Sequence, residues 1–143
     1  RSAVVGSPAY FALHGKPKHP RDLQHHSCLN YRRITRGEIY RWEFSENGKD
    51  FEIAVRGRLI VNDMDALTSA ALAGIGLAHT LESAVREPLA SGQLVRVLDG
   101  FCPPFPGLFL YYPSRANISP KLQALVDFLK ARPPERAKRR RHG

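Results

Sequence analysis

VRGRLIVNDMDALTSAALAGIGLAHTLESAVREPLASGQLVRVL, residues 55–98, is the stretch whose reading decides the fold. A strand over Gly57–Val61 ends in Asn62-Asp63. Met64 then opens an amphipathic run whose buried stripe is expected to be Met64, Leu67, Ala71 and Leu72, with Gly74 just past the helix end. Gly76-Leu77-Ala78 begins a second apolar run. A helix that Pro88 is expected to break leads through Ser91-Gly92 to a third strand, Leu94–Leu98. Strands and helices alternating across turns of a few residues form the pattern of an α/β sheet whose strands end at ligand-facing loops. No acid–base pair, nucleophile motif or metal cluster accompanies the pattern, so it points to binding rather than catalysis.

The flanks extend the same reading. Ala3–Val5 is a short strand. Ser7 suits a helix N-cap and Pro8 the first helical position, and that helix ends near Gly15. Pro20–Leu23 begins a further turn of helix, and Ser27–Tyr31 is a strand. Asn47-Gly48 lies between two apolar-alternating runs and favours a type I′ hairpin turn. Its register sets Phe44 opposite Phe51 and Trp42 opposite Ile53 on one face. Glu43 and Glu52 oppose each other on the other face, which is expected to be solvated or neutralised by Arg41 or Lys49. Phe101–Gly107 reads as loop and Leu108–Tyr112 as strand. Ser119 and Pro120 start a final helix with Leu122, Leu125, Val126 and Leu129 at helical spacing, ending before Pro133.

The chain of 143 residues fits one domain, or one domain and part of another. The first residues lack a signal-peptide pattern, and no apolar run approaches the ~18 residues of a membrane span. The chain starts without Met inside a strand-like run, which reads as a piece of a longer protein. Of the net charge of +9, a surplus of five cations falls after Ala131, where six Arg and Lys accompany Glu135 alone. The simplest reading of residues 132–143 is a solvated, disordered tail. The sharper one is weak contact with nucleic-acid phosphates. Cys28 reads as a core residue and Cys102 as a loop residue, and a disulfide between them is not expected.

Several candidate sites carry two readings. Gly74-Ile75-Gly76 fails the dinucleotide fingerprint because the third glycine position is His79, so the glycines read as a helix stop. The six histidines show no zinc spacing, and no metal or cofactor is expected. His79 is either a cleft residue at a strand end or a satisfied buried histidine. Ser7 either caps a helix or joins the amides of Ser7 to Tyr10 in holding an anion. Asn62-Asp63-Met64 either caps the helix or offers free amides to a ligand in a crevice, and the Asp63 carboxylate argues against a highly charged anion.

Many short motifs, in order along the chain, resemble the effector-binding domain of LysR-type transcriptional regulators. They include Val4-Val5-Gly6-Ser7-Pro8-Ala9-Tyr10, Pro20-Arg21-Asp22-Leu23 with His26-Ser27-Cys28-Leu29, and Trp42-Glu43-Phe44. They continue through Val61-Asn62-Asp63, Ala70–Ala78, Leu89–Leu98 and Leu110–Arg115, and the likeness spans about residues 1–131. The resemblance implies an α/β, type 2 periplasmic-binding-protein-like lobe with a mixed sheet flanked by helices. Residues 1–115 would be the second lobe of a two-lobed sensor, and 116–131 a C-terminal helix belonging to the other lobe. It implies effector contacts from Ser7, Asn62, Asp63, Met64 and Thr80. The serine/threonine-rich loop forming the opposite wall lies in the lobe this chain lacks. The chain departs from the family pattern at Thr80-Leu81, where Leu-Pro is usual.

The function implied is small-molecule effector sensing in a cytoplasmic DNA-binding regulator that works as a homodimer or homotetramer. DNA would be read by a winged helix-turn-helix domain outside this chain, without a catalytic residue, cofactor or membrane. The alternative is an exported solute-binding protein of the same fold. A signal peptide encoded upstream of Arg1 would favour it, and a helix-turn-helix there would favour the regulator.

Overall fold

The computed structural model describes residues 1–102 and 119–131. The chain divides into two compact units, Arg1–Gly107 and Leu108–Gly143, and each is described by itself. In the first, strand β1 (Ser2–Gly6) pairs antiparallel with β6 (Ala78–Leu81) on one edge and with β7 (Val95–Val97) on the other. β2 (Asn30–Tyr31) and β5 (Ile60–Val61) form a parallel pair. A parallel bridge between Cys28 and Leu77 ties this pair to the sheet. There Leu29 N donates to Leu77 O (2.8 Å) and Leu77 N to Ser27 O (2.9 Å). The spatial order is therefore β5-β2-β6-β1-β7, a mixed sheet as expected.

Strand alternation sends the apolar residues of this sheet to two cores. Ala3, Val5, Leu29 and Ala78 pack with Leu67, Ala71, Val85 and Leu94 on one side. Val4, Cys28 and Leu77 pack with Tyr10, Phe11, Trp42 and Phe44 on the other. The first core is covered by α2 (Met64–Leu72), whose buried residues are Leu67, Ala70 and Ala71. Met64 is half-buried against the same core. Leu72, expected in the stripe, is 37% exposed. It lies five residues past Leu67, about 140° around the helix axis, so it faces away from the sheet. Gly74, at φ 75°, follows the helix end as expected.

The second core is roofed by the hairpin of β3 (Trp42–Glu46) and β4 (Lys49–Ile53). Asn47 (φ 51°) and Gly48 (φ 74°) form the positive-φ turn, and the register pairs Trp42 with Ile53 and Phe44 with Phe51 as expected. Burying Trp42 and Phe44 stabilises the fold by about 2–3 kcal/mol each. The facing Glu43 and Glu52 are exposed. The cation beside them is Arg33, 4.0 Å from Glu43, rather than Arg41 or Lys49. The turn 32–39 folds back on itself, with Arg33 N donating to Glu38 O, and so returns Arg33 to the hairpin.

α1 (Pro8–His14) begins as expected, with Tyr10 N donating to Ser7 Oγ (3.1 Å). Tyr10 Oη accepts from Ser27 N (3.0 Å) and lies 3.1 Å from His26 Nδ1, which joins α1 to the approach to β2. A 3-10 turn over Pro20–His25 carries a reciprocal cap between His19 and Asp22. Pro88 does not break its helix. A 3-10 turn over Glu82–Val85 passes into α3 (Arg86–Ala90), and Pro88 sits in the first turn of α3, where a missing N–H costs nothing. The regular ladders of β2, β5 and β7 are shorter than the apolar runs that announce them. Phe101 closes a 3-10 turn, Asp99–Phe101, instead of opening a loop. Cys28 and Cys102 are both free and buried, and burial pushes the Cys28 thiol up to about 12.

In the second unit, α4 (Pro120–Ala131) starts after Ser119 and ends before Pro133, as expected. Gln123 N donates to Ser119 O (2.9 Å). The expected loop from Pro103, the strand 108–112 and the tail 132–143 lie outside the described residues.

His79 lies in β6 opposite Val4 and is 7% exposed. It is stacked with Tyr40 and Trp42, at centroid distances of 5.7 and 5.4 Å, and touches Phe44. Its Nε2 has no hydrogen-bond partner among the described residues, so it is buried but not satisfied. Burial lowers its pKa from 6.5 to about 4. Between those values the unfolded chain binds a proton that the folded chain refuses, so stability falls as pH falls through that window. The full loss is of order 3 kcal/mol. His79→Phe should flatten this dependence, measured as urea midpoints at pH 7.5 and 4.5 by Trp42 fluorescence. An unchanged pH dependence would show that another group sets it.

Candidate functional site

β1 runs antiparallel to both β6 and β7, while β2 runs parallel to β5 and to the chain entering β6. The carboxyl ends of β2, β5, β6 and β7 therefore share one edge of the sheet with the amino end of β1. Asn62-Asp63-Met64 leaves β5 at this edge, and Thr80 arrives there near the end of β6, opposite Ala3.

Each of these residues is differently committed. Asp63 is the cap of α2, its carboxylate accepting from Asp65 N (3.4 Å) and Ala66 N (3.3 Å). Asn62 is exposed, and its side chain makes no hydrogen bond among the described residues. Met64 turns half of its surface into the core. Thr80 is 5% exposed, and its Oγ1 has no partner among the described residues. Polar atoms so buried are normally hydrogen-bonded, which sets the Thr80 hydroxyl apart.

Ser7 is not part of this group. β1 carries it to the opposite edge, since Gly6 lies opposite Val95 while Ala3 lies opposite Thr80. α2 spans about 13 Å between the two edges, and Gly74 beyond its end approaches Ser7 Oγ. The Ser7 hydroxyl is occupied in capping α1.

Two features of the edge escape sequence reasoning. Asn30 is 4% exposed and its Oδ1 has no partner among the described residues. Cys28 and Leu77 are bridged and share a core, so Asn30 and His79, each two residues further on, share that face of the sheet. The available signal was a polar residue inside the apolar run Cys28-Leu29-Asn30-Tyr31. The second feature is a ring of four charges. Arg1 pairs with Asp99 and with Glu82 (3.5 Å), and Arg96 pairs with Glu82 (3.0 Å) and Asp99 (2.9 Å). Partial burial alone would raise the Asp99 carboxyl, but hydrogen bonds from Arg1 and Arg96 hold it below its ordinary value. The hydrogen bond to Asp99 raises the Arg1 guanidinium.

The edge thus offers amide and hydroxyl groups beside a balanced set of charges. No group of three His, Cys, Asp or Glu among the described residues could hold a metal ion.

The LysR substrate binding domain family matches residues 1–134. A putative transcriptional regulator of Pseudomonas aeruginosa is 44% identical over 130 residues, covering 91% of this chain and 42% of that protein. The chain therefore spans about two fifths of that relative's length. A putative LysR family substrate binding domain-containing protein of Escherichia coli, YagP, is 42% identical over 105 residues, covering 73% of this chain and 77% of the relative. Among solved structures, the regulatory domain of the C227S variant of AphB from Vibrio vulnificus superposes with a TM-score of 0.71 at 23% identity. That match covers 92% of this chain and 64% of the other, and it supports the fold alone.

Asp63→Ala should lower stability by about 1 kcal/mol through loss of the α2 cap, and Asp63→Ser should restore most of it. Urea denaturation followed by circular dichroism checks both. An Asp63→Ala protein as stable as the parent would remove Asp63 from the cap.

Proposed function

Because the chain belongs to the LysR substrate-binding domain family, we propose that it is the sensing part of a transcription regulator and takes its small-molecule effector at the edge carrying Asn62, Asp63, Met64 and Thr80. The fold class agrees with that of the family's regulatory domains. The observation that carries the placement is the buried, unpartnered Thr80 hydroxyl at the carboxyl end of β6. Asn62 supplies a free amide at the same edge, at the end of β5, and Asp63 is spent on its own helix. The Asp63 charge, lying at the mouth, disfavours a polyanionic effector.

In this reading the effector acts by binding one arrangement of the regulator better than another, and the shift equals that difference in affinity. DNA is contacted by a separate helix-turn-helix domain, the assembly is a homodimer or homotetramer, and the protein works in the cytoplasm. Among the described residues no helix is long and apolar enough to cross a membrane. The relatives' names are those of regulators and substrate-binding proteins, which supports binding without turnover.

A thermal-shift screen of small metabolites should find compounds that raise the melting temperature of this chain. Thr80→Val and Asn62→Ala should each weaken the best hit, by roughly fivefold for one lost hydrogen bond, with the unliganded melting temperature nearly unchanged. Hits indifferent to both substitutions would move the effector elsewhere. In filter binding, the same chain should show no operator preference. Retention through the Lys138–Arg141 run should vanish by about 0.2 M salt, and salt-resistant, sequence-specific retention would contradict the separate DNA-reading domain.

A further inference from the structure

Away from the effector edge, at the amino end of β2, Arg21, Gln24, His25, Ile53, Ala54 and Arg56 line a groove of about 630 Å³. Three elements meet there: the 3-10 turn, the end of β4 and the segment that leads to β5. Their backbones are held. Cys28 N donates to Arg56 O (2.9 Å). A Cβ on Gly57 would stand 1.8 Å from Cys28 O, so glycine alone permits this approach and sets Arg56 beside β2. On the other wall, the His19 ring accepts from Arg21 N (3.1 Å) while Asp22 accepts from His19 N (2.9 Å).

The charges of this groove are one-sided. Among the described residues Arg21 and Arg56 line it with the polar Gln24 and His25 and with no carboxylate. Asp22, the nearest acid in sequence, is turned to the backbone amides of Lys18 and His19. Among the described residues the guanidinium groups of Arg21 and Arg56 meet no acceptor. At the effector edge, by contrast, Arg1 and Arg96 each meet two carboxylates. Two fork-shaped donors beside an apolar floor of the half-buried Ile53, with Ala54 exposed next to it, suit an oxyanion on a small apolar body.

We propose that this groove is a second ligand site, for a small organic anion whose carboxylate or phosphate lies between Arg21 and Arg56. It is independent of the effector edge, and the bare ion binds less well because it leaves the apolar floor uncovered.

The test is calorimetric titration of the 143-residue chain, at constant ionic strength, with phenyl phosphate, benzoate, inorganic phosphate and chloride. Saturable binding of phenyl phosphate or benzoate is expected, whichever binds tighter identifying the oxyanion, with inorganic phosphate weaker and chloride silent. The double variant R21A/R56A should lose roughly tenfold in affinity, while R58A, an exposed arginine outside the groove, and T80V should bind as the parent does. Unchanged Trp42 fluorescence verifies that each variant is folded. Absence of saturable binding, equal binding of all four anions, or an equal loss in R58A overturns the proposal. A loss in T80V but not in R21A/R56A also overturns it, and assigns the anion to the effector edge instead.

Discussion

Ala3, Val4 and Val5 are fully buried, hydrogen-bonded through β6 on one edge and β7 on the other, and packed on both faces. β1 is the central strand of the β6-β1-β7 ladder. A strand in that position cannot slip by one residue, because the slip would exchange the side chains of the two cores. Its direction then sets the direction of its neighbours. β6 and β7 both run against it, and their carboxyl ends meet at its amino end, which forms the edge proposed for the effector. The ring of Arg1, Glu82, Arg96 and Asp99 closes the same edge with charges of alternating sign.

The cores on the two faces differ in kind. The α2 side is aliphatic and well satisfied apart from Thr80. The hairpin side sets aromatic rings over two orphaned polar atoms, Asn30 Oδ1 and His79 Nε2. Asn30, His79 and Thr80, uncharged side chains with a buried polar atom that meets no partner among the described residues, belong to the neighbouring strands β2 and β6. A fold that tolerates such groups at one place, and caps its helices elsewhere, concentrates its unmet hydrogen bonding where a ligand could use it.

Features that depend on neighbours in sequence were legible. The Asn47-Gly48 turn follows from positive φ at two adjacent residues, and it carries the register of Trp42, Phe44, Phe51 and Ile53 with it. The start of α1 at Ser7-Pro8 and the stop of α2 near Gly74 are equally local. Errors arose where geometry around an axis or across the sheet decided. Leu72 is apolar and near the stripe, yet sits on the wrong side of the helix. Pro88 falls in a first turn, because the 3-10 turn before it moves the helix start.

Local sequence suffices for the α/β class, the hairpin register and the family, because these rest on local backbone preferences and on ordered motifs. Tertiary structure alone decided which residues share an edge. Ser7 and Thr80 look equally eligible along the chain, but β1 and β6 are antiparallel and carry them to opposite ends. Arg1 meets Asp99 for the same reason: strand pairing joins residues whose separation along the chain holds no information about their distance.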